Sequence, residues 1–248
     1  MTDPLIFWSA AVLAAVLVGM AKGGLPMVGM LSVPIMSLLI SPVAAAGLLL
    51  PVYVASDVFG VWAYRRQFDR RNLLILVPGA LAGVGFGWAT AALMPERAVT
   101  AIVGLVGGSF ALMQLLRRGP PPEPRPARVA PGLFWGVLSG FTSFVSHAGA
   151  PPYQIYVLPQ RMPKAVFAGT TTIFFAIVNA AKLLPYAMLG QLGPDTLRQA
   201  ALLLPPAIAA VWLGVALVRV LPERRFFLLV TWALLLVSVQ LLWQAAWG

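Results

Sequence analysis

Ten apolar runs, each closed by charged residues or by a break rich in proline and glycine, fill almost the whole of this chain. They lie at about 5–21, 25–40, 43–64, 73–93, 98–116, 132–146, 151–160, 165–187, 197–218 and 226–246. The longer ones reach the roughly 20 residues that carry a helix across a bilayer. They lack the period-two alternation of a barrel strand, and in hydrocarbon only helices and closed barrels satisfy every backbone N–H and C=O. The runs therefore predict an all-α polytopic membrane protein. Composition agrees, because 60% hydrophobic residues, 10% charged residues and a mean hydropathy of +0.89 exceed what a water-soluble core could hide. The opening MTDPLIFW has an acid where a secretory leader needs basic residues, so it reads as a retained membrane segment. There is no cysteine, which removes disulfides, thiolate nucleophiles and Cys-ligated metals.

A proline- and arginine-rich stretch, RRGPPPEPRPAR at 117–128, divides the chain nearly in half. Its proline density forbids helix and predicts a solvated connector. The halves on either side resemble each other. MPER at 94–97 recurs as LPER at 221–224, AKGGLP at 21–26 as SHAGAP at 146–151, and SPVAAAG at 41–47 as MPKAVFAG at 162–169, which aligns Asp57 with Asn179 at an offset of 122. Four matches in the same order predict a duplication, with a first repeat over 1–116, a linker over 117–130 and a second repeat over 131–248.

Charge sets the orientation of the two repeats. Thirteen of the 17 lysines and arginines sit in four segments: 65–72, 117–130, 159–164 and 219–225. Arg97 and Arg198 stand near two other loops, and Lys22 and Lys182 lie inside apolar runs. Placing the basic loops in the cytoplasm satisfies the positive-inside rule. Loop 65–72 is then basic while its counterpart 188–196 is not, and 94–97 is balanced while 219–225 is basic. That pattern predicts inverted-topology repeats, a construction in which transporter sites lie near the midplane. Each repeat begins with two short runs broken at their tip, by KGGLP in one and HAGAPP in the other. We read each pair as a broken, re-entrant-like helical hairpin followed by three transmembrane helices.

The candidate site follows from polar groups that lipid would not tolerate. An ammonium in hydrocarbon costs at least a few kcal/mol, so Lys22 and Lys182 should face a cavity, a partner or an anion. At Lys22-Gly23-Gly24-Leu25-Pro26, glycine frees the backbone to turn and offers amide N–H groups, and proline suits the first turn of the next helix. Bare amides beside an ammonium attract anions. The second tip offers the Ser146 hydroxyl, the His147 imidazole, Gly149 and Pro151. Together the tips predict a cage for a small oxyanion. The alternative is two tight turns, with Lys22 snorkelling to the interface. Asp57 and Lys182 read either as a structural ion pair or as coupling and substrate groups. His147 reads as a core residue or, with its unperturbed pKa near 6.5, as a proton-coupling group. Thr170, Thr171 and Asn179 read as substrate contacts or as helix-packing polar residues.

At these residues the chain resembles a known family. VGMAKGGLPMVGMLSVP, LLLPVYVASDVFGVWAYRRQFD and GFTSFVSHAGAPPYQIYVLPQRMPKAVFAGTTTIFFAIVNAAKLLPYAMLG look like the paired motifs of the sulfite exporter TauE/SafE family, also called toluene sulfonate uptake permeases. The resemblance implies a permease of the bacterial inner membrane for small sulfur-containing anions such as sulfite or sulfoacetate-like sulfonates. It implies site residues at Lys22, Gly23, Gly24, Pro26, Asp57, His147, Gly149, Pro151, Asn179 and Lys182. This chain has a lysine beside only two glycines at the first tip, where the family often has a longer glycine run.

The expected function is a secondary transporter, in the exporting direction usual for the family, with proton coupling through Asp57 or His147. The competing reading is a passive anion channel, or a carrier for another small organic anion. An enzyme is disfavoured, because one histidine and no cysteine offer neither a metal cluster nor a convincing nucleophile and base. No cofactor is expected. The net charge of +10 reads as membrane orientation and contact with anionic lipid headgroups rather than nucleic-acid binding. Monomer and homodimer both fit the sequence.

Overall fold

A computed structural model describes residues 3–37, 39–90, 93, 95–116, 123–220 and 222–247. Met94 and Leu221 of the repeated tetrapeptides, and 117–122 of the linker, lie outside these residues. The described chain is helical: α1 (Pro4–Lys22), α2 (Pro26–Gly29), α3 (Ser32–Ser37), α4 (Pro42–Tyr64), α5 (Arg70–Thr90), α6 (Glu96–Leu116), α7 (Val129–Ser146), α8 (Ala150–Val157), α9 (Lys164–Met188), α10 (Pro194–Val220) and α11 (Glu223–Trp247), with a 3₁₀ turn at Leu158–Gln160 after α8. Among the described residues, six helices are long and apolar enough to cross a membrane, namely α1, α4 (from Val43), α5, α7, α9 and α10. Large apolar side chains such as Leu5, Leu74, Phe86 and Leu105 are more than half exposed. Surface of that kind suits lipid, not water. This is a multi-pass membrane protein.

Local chemistry starts the helices where the sequence has its breaks. Asp3 caps α1 by accepting from the Leu5 N–H at 2.9 Å, and Ser41 caps α4 by accepting from Ala44 at 3.2 Å. In both, proline occupies the first helical position, where its missing N–H costs nothing. The run at 25–40 does not form one arm. It divides into α2 and α3, because the Gly29 carbonyl accepts from Tyr53 Oη (2.7 Å) and Ser32 Oγ (2.5 Å), and a proline at 34 has no N–H to continue a ladder. The second hairpin's return arm is the eight-residue α8 and its 3₁₀ turn, as short as the 151–160 run implied.

The helices pack into two compact units that cut across the sequence halves. Unit one comprises Met1–Asp69 and Ala165–Leu221, and unit two comprises Arg70–Lys164 and Pro222–Gly248. The chain passes between them at 69/70, 164/165 and 221/222, each time in or beside a basic segment.

In unit one, Gly19 of α1 meets Ala207 and Ala210 of α10, and Gly23 meets Val211 and Gly214, so these helices run parallel. Small residues let the backbones close, as is usual where lipid offers no hydrophobic drive. Helices α4 and α9 run antiparallel: Asp57 bonds Asn179, Gly60 lies against Thr172, and Tyr64 lies against Gly169. In unit two, α5 and α7 run parallel, with Gly79 against Leu133 and Val137 and Gly83 against Val137 and Phe141. Helices α6 and α11 are antiparallel, with Gly104 against Leu242 and Gly107 against Leu234.

A Cβ at Gly83 would collide with the Val137 carbonyl, whereas one at Gly85 would find nothing within 4 Å. Gly83→Ala is therefore expected to cost about 1–3 kcal/mol and Gly85→Ala almost nothing. Thermal unfolding of the detergent-solubilised variants checks this, and equal melting temperatures would contradict the α5–α7 packing.

Candidate functional site in unit one

Helix α1 ends on the motif that the sequence singles out. Lys22 is its last residue, Gly23 caps it, and Gly24 turns the chain at φ +110°, a conformation open to glycine. Both glycines are also tightly packed: a Cβ on Gly23 would strike the α10 backbone, and one on Gly24 would meet Ala168, Tyr64 and Val218. The turn closes on α1 itself. The N–H groups of Gly23, Gly24 and Leu25 donate to the carbonyls of Gly19, Ala21 and Met20 at 3.0, 3.1 and 3.3 Å. These amides, expected to offer themselves to an anion, are instead used to satisfy the last carbonyls of the helix, the ordinary demand of a C-terminus. Pro26 is buried and begins α2.

The side chains converge more tightly than the backbone. Lys22 Nζ lies 2.7 Å from Asp57 Oδ1, and both side chains are about 5% exposed. Asn179 Nδ2 donates to Asp57 Oδ2 at 2.8 Å, so residues from α1 and α9 engage the two oxygens of one carboxylate on α4. Lys22 Nζ also sits 4.8 Å from the centre of the Tyr53 ring, a cation–π distance. Lys182, one turn beyond Asn179 on α9, is fully buried and within electrostatic range of both Lys22 and Asp57. The tip is held from outside the cluster. Thr172 Oγ1 donates to the Lys22 carbonyl at 3.1 Å and Tyr64 Oη to the Gly23 carbonyl at 2.6 Å. Gly60 permits this approach, since a Cβ there would press on the Lys22 carbonyl and Thr172.

The fold thus brings Lys22, Asp57, Asn179 and Lys182 together. It gives the neighbouring threonines other work. Thr170 Oγ1 donates to the Val166 carbonyl (2.7 Å) and accepts from the Asp69 N–H (2.8 Å), tying the basic 65–69 loop to α9. Thr171 Oγ1 donates to the Phe167 carbonyl at 2.7 Å. Tyr53, Gly60 and Tyr64 join the site without a motif to mark them, although with Asp57 they share a helical stripe at spacings of four, three and four.

In unit two, the second tip is built by the same kind of turn. His147 ends α7 in the left-handed region at φ 55°, its N–H donates to the Ser143 carbonyl at 3.1 Å, and its Nδ1 lies 3.3 Å from the same oxygen. Ser146 Oγ donates weakly to the Thr142 carbonyl at 3.4 Å. The Gly149 carbonyl accepts from Ser139 Oγ at 2.7 Å, and Pro151 is buried in the first turn of α8. Gln154, one turn on, is fully buried and neither of its amide atoms has a partner among the described residues.

A family model described as sulfite exporter TauE/SafE matches residues 11–241. The chain belongs to this family. A search of curated proteins and a search of solved structures each found no match. TauE/SafE members are membrane transporters and not enzymes, and the family implies an anionic substrate such as sulfite. Among the described residues, no group of three or more His, Cys, Asp or Glu side chains is placed to hold a metal ion.

Replacing Asp57 by Asn should leave the Lys22 ammonium buried without its carboxylate, at a cost of about 3–5 kcal/mol. The double replacement Lys22→Met with Asp57→Leu should recover most of that loss. Unfolding midpoints of the three proteins check the pair, and a double variant no more stable than Asp57→Asn would contradict it.

Proposed function

We propose that this TauE/SafE member is a secondary transporter that exports a small sulfur-containing anion, sulfite or a sulfoacetate-like sulfonate, across a bacterial inner membrane. One observation carries the reading: among the described residues, the buried charged cluster of unit one gathers Lys22 and Lys182 around Asp57. With all three ionised it has one excess positive charge, and Coulomb forces are strong where water is scarce. An anion supplies the missing charge. Lys22 and Lys182 hold it, and Asp57, bonded by residues of both halves, is the group that carries a coupling proton.

Alternating access between inverted repeats is the mechanism we infer. In the alignment of the halves, α4 corresponds to α9 and α6 to α11. In both pairs the corresponding helices pack antiparallel, as a two-fold axis in the membrane plane requires. The aligned residues Asp57 and Asn179 touch directly, at 2.8 Å. Corresponding residues on two helices can meet only close to the axis that relates them, so this contact supports both the duplication and a site near its centre. The basic loops, including 65–72 and the linker, then face the cytoplasm.

Lys182→Met leaves the Lys22–Asp57 pair in place. It is expected to weaken binding of radiolabelled sulfite by the purified protein about tenfold or more, the loss of one charge-assisted contact, while thermal stability is kept. Unchanged affinity would move the site elsewhere. In proteoliposomes, an imposed pH gradient is expected to drive sulfite flux in the wild-type protein and not in Asp57→Asn. Flux indifferent to the gradient would remove the proton from the mechanism, and large single-channel currents would favour a pore.

A further inference from the structure

We propose that a cavity at one end of unit one is the outer vestibule of the substrate path, and that Tyr53 is the gate closing its floor against the Lys22 cluster. The inference rests on the transporter reading above.

The cavity encloses about 440 Å³ and is bordered by Phe7, Ile40 and Leu48 on its apolar side and by Ser41, Gln191, Thr196 and Gln199 on its polar side. Those polar residues come from the N-cap of α4, the loop after α9 and the first turns of α10. The segments 41–42 and 188–196 carry no lysine or arginine, so the positive-inside rule puts this end outside. The volume is that of a small-molecule pocket. The polar lining is uncharged, which suits passage of a hydrated anion rather than its retention.

The floor is apolar and continuous with the site. Leu48 borders the cavity and also belongs to a cluster with Val33, Met36, Leu49, Val52 and Tyr53. Tyr53 is at the same time the residue whose ring faces Lys22. Along α4, Leu48 and Asp57 are separated by roughly 13 Å at the ordinary helical rise, so one apolar layer stands between the vestibule and the ion pair. The Tyr53 hydroxyl is fixed at the break between α2 and α3, donating to the Gly29 carbonyl at 2.7 Å, with Ser32 Oγ, which donates to the same carbonyl, 2.9 Å away. A broken arm can re-angle where a continuous helix cannot. Movement of this arm releases the hydroxyl and takes the ring off the path.

The absence of cysteine makes each introduced thiol the only one in the chain. In right-side-out vesicles, Gln199→Cys is expected to react with a membrane-impermeant thiol reagent added outside. Leu49→Cys, in the apolar layer, is expected to be protected. Adding Tyr53→Phe, or Ser32→Ala, which keeps the ring, should raise Leu49→Cys reactivity roughly fivefold, the population change that loss of one ordinary hydrogen bond produces. Reaction of Gln199→Cys from the cytoplasmic side alone, an unprotected Leu49→Cys with Tyr53 intact, or no gain in either latch variant overturns the proposal. Failure of the anion reading looks different: the unmodified protein would bind no sulfite while this labelling pattern persisted.

Discussion

A charge buried in hydrocarbon must be answered locally, and the Lys22–Asp57 contact is where this chain does so. The pair fixes the end of α1 against α4, and Asn179 brings α9 to the same carboxylate. The surrounding details follow from holding that geometry. Thr172 and Tyr64 take the carbonyls freed at the end of α1, and glycines at 23, 24 and 60 let three backbones approach within reach of one another. Buried ion pairs are weak sources of stability but expensive to break. This one, with Asn179, joins α1, α4 and α9 at a single carboxylate.

In the function proposed above, the anion answers the positive charge left over when Lys22, Lys182 and Asp57 are all ionised. Two of the helices that carry the cluster, α4 and α9, correspond in the alignment of the halves and run antiparallel. A transporter of the TauE/SafE family needs a place where an anion is favoured and lipid is absent, reachable in turn from either side. On the reading proposed above, the cluster in unit one is the place with the first property, and the apolar layer with the polar cavity beyond it is the gate that provides the second.

Much of this was legible in the sequence because membrane physics leaves few options. Span positions followed from run length, and the hairpin breaks from KGGLP and HAGAPP. The alignment of Asp57 with Asn179 anticipated two residues that turn out to be bonded. What could not be read was which partner each group would choose. Asp57 engages Lys22, a residue 35 positions away on a different helix, and periodicity has no bearing on that choice. A glycine-rich break reads the same whether its N–H groups face a ligand or close back on the preceding helix, as those of Gly23, Gly24 and Leu25 do. Tyr53 does not stand out in the sequence, because a tyrosine on an apolar helix is ordinarily core. Only the Gly29 and Ser32 contacts, made through the break in the following arm, set it apart.

The most direct test of a cation excess that holds an oxyanion is to see the anion in place. Selenite has the pyramidal shape and charge of sulfite and scatters anomalously. A diffraction experiment on the protein soaked in selenite should show an anomalous peak within hydrogen-bond reach of Lys182, beside an intact Lys22–Asp57 pair. A peak remote from both lysines, or lysines directed into the acyl chains with no bound anion, would contradict the account.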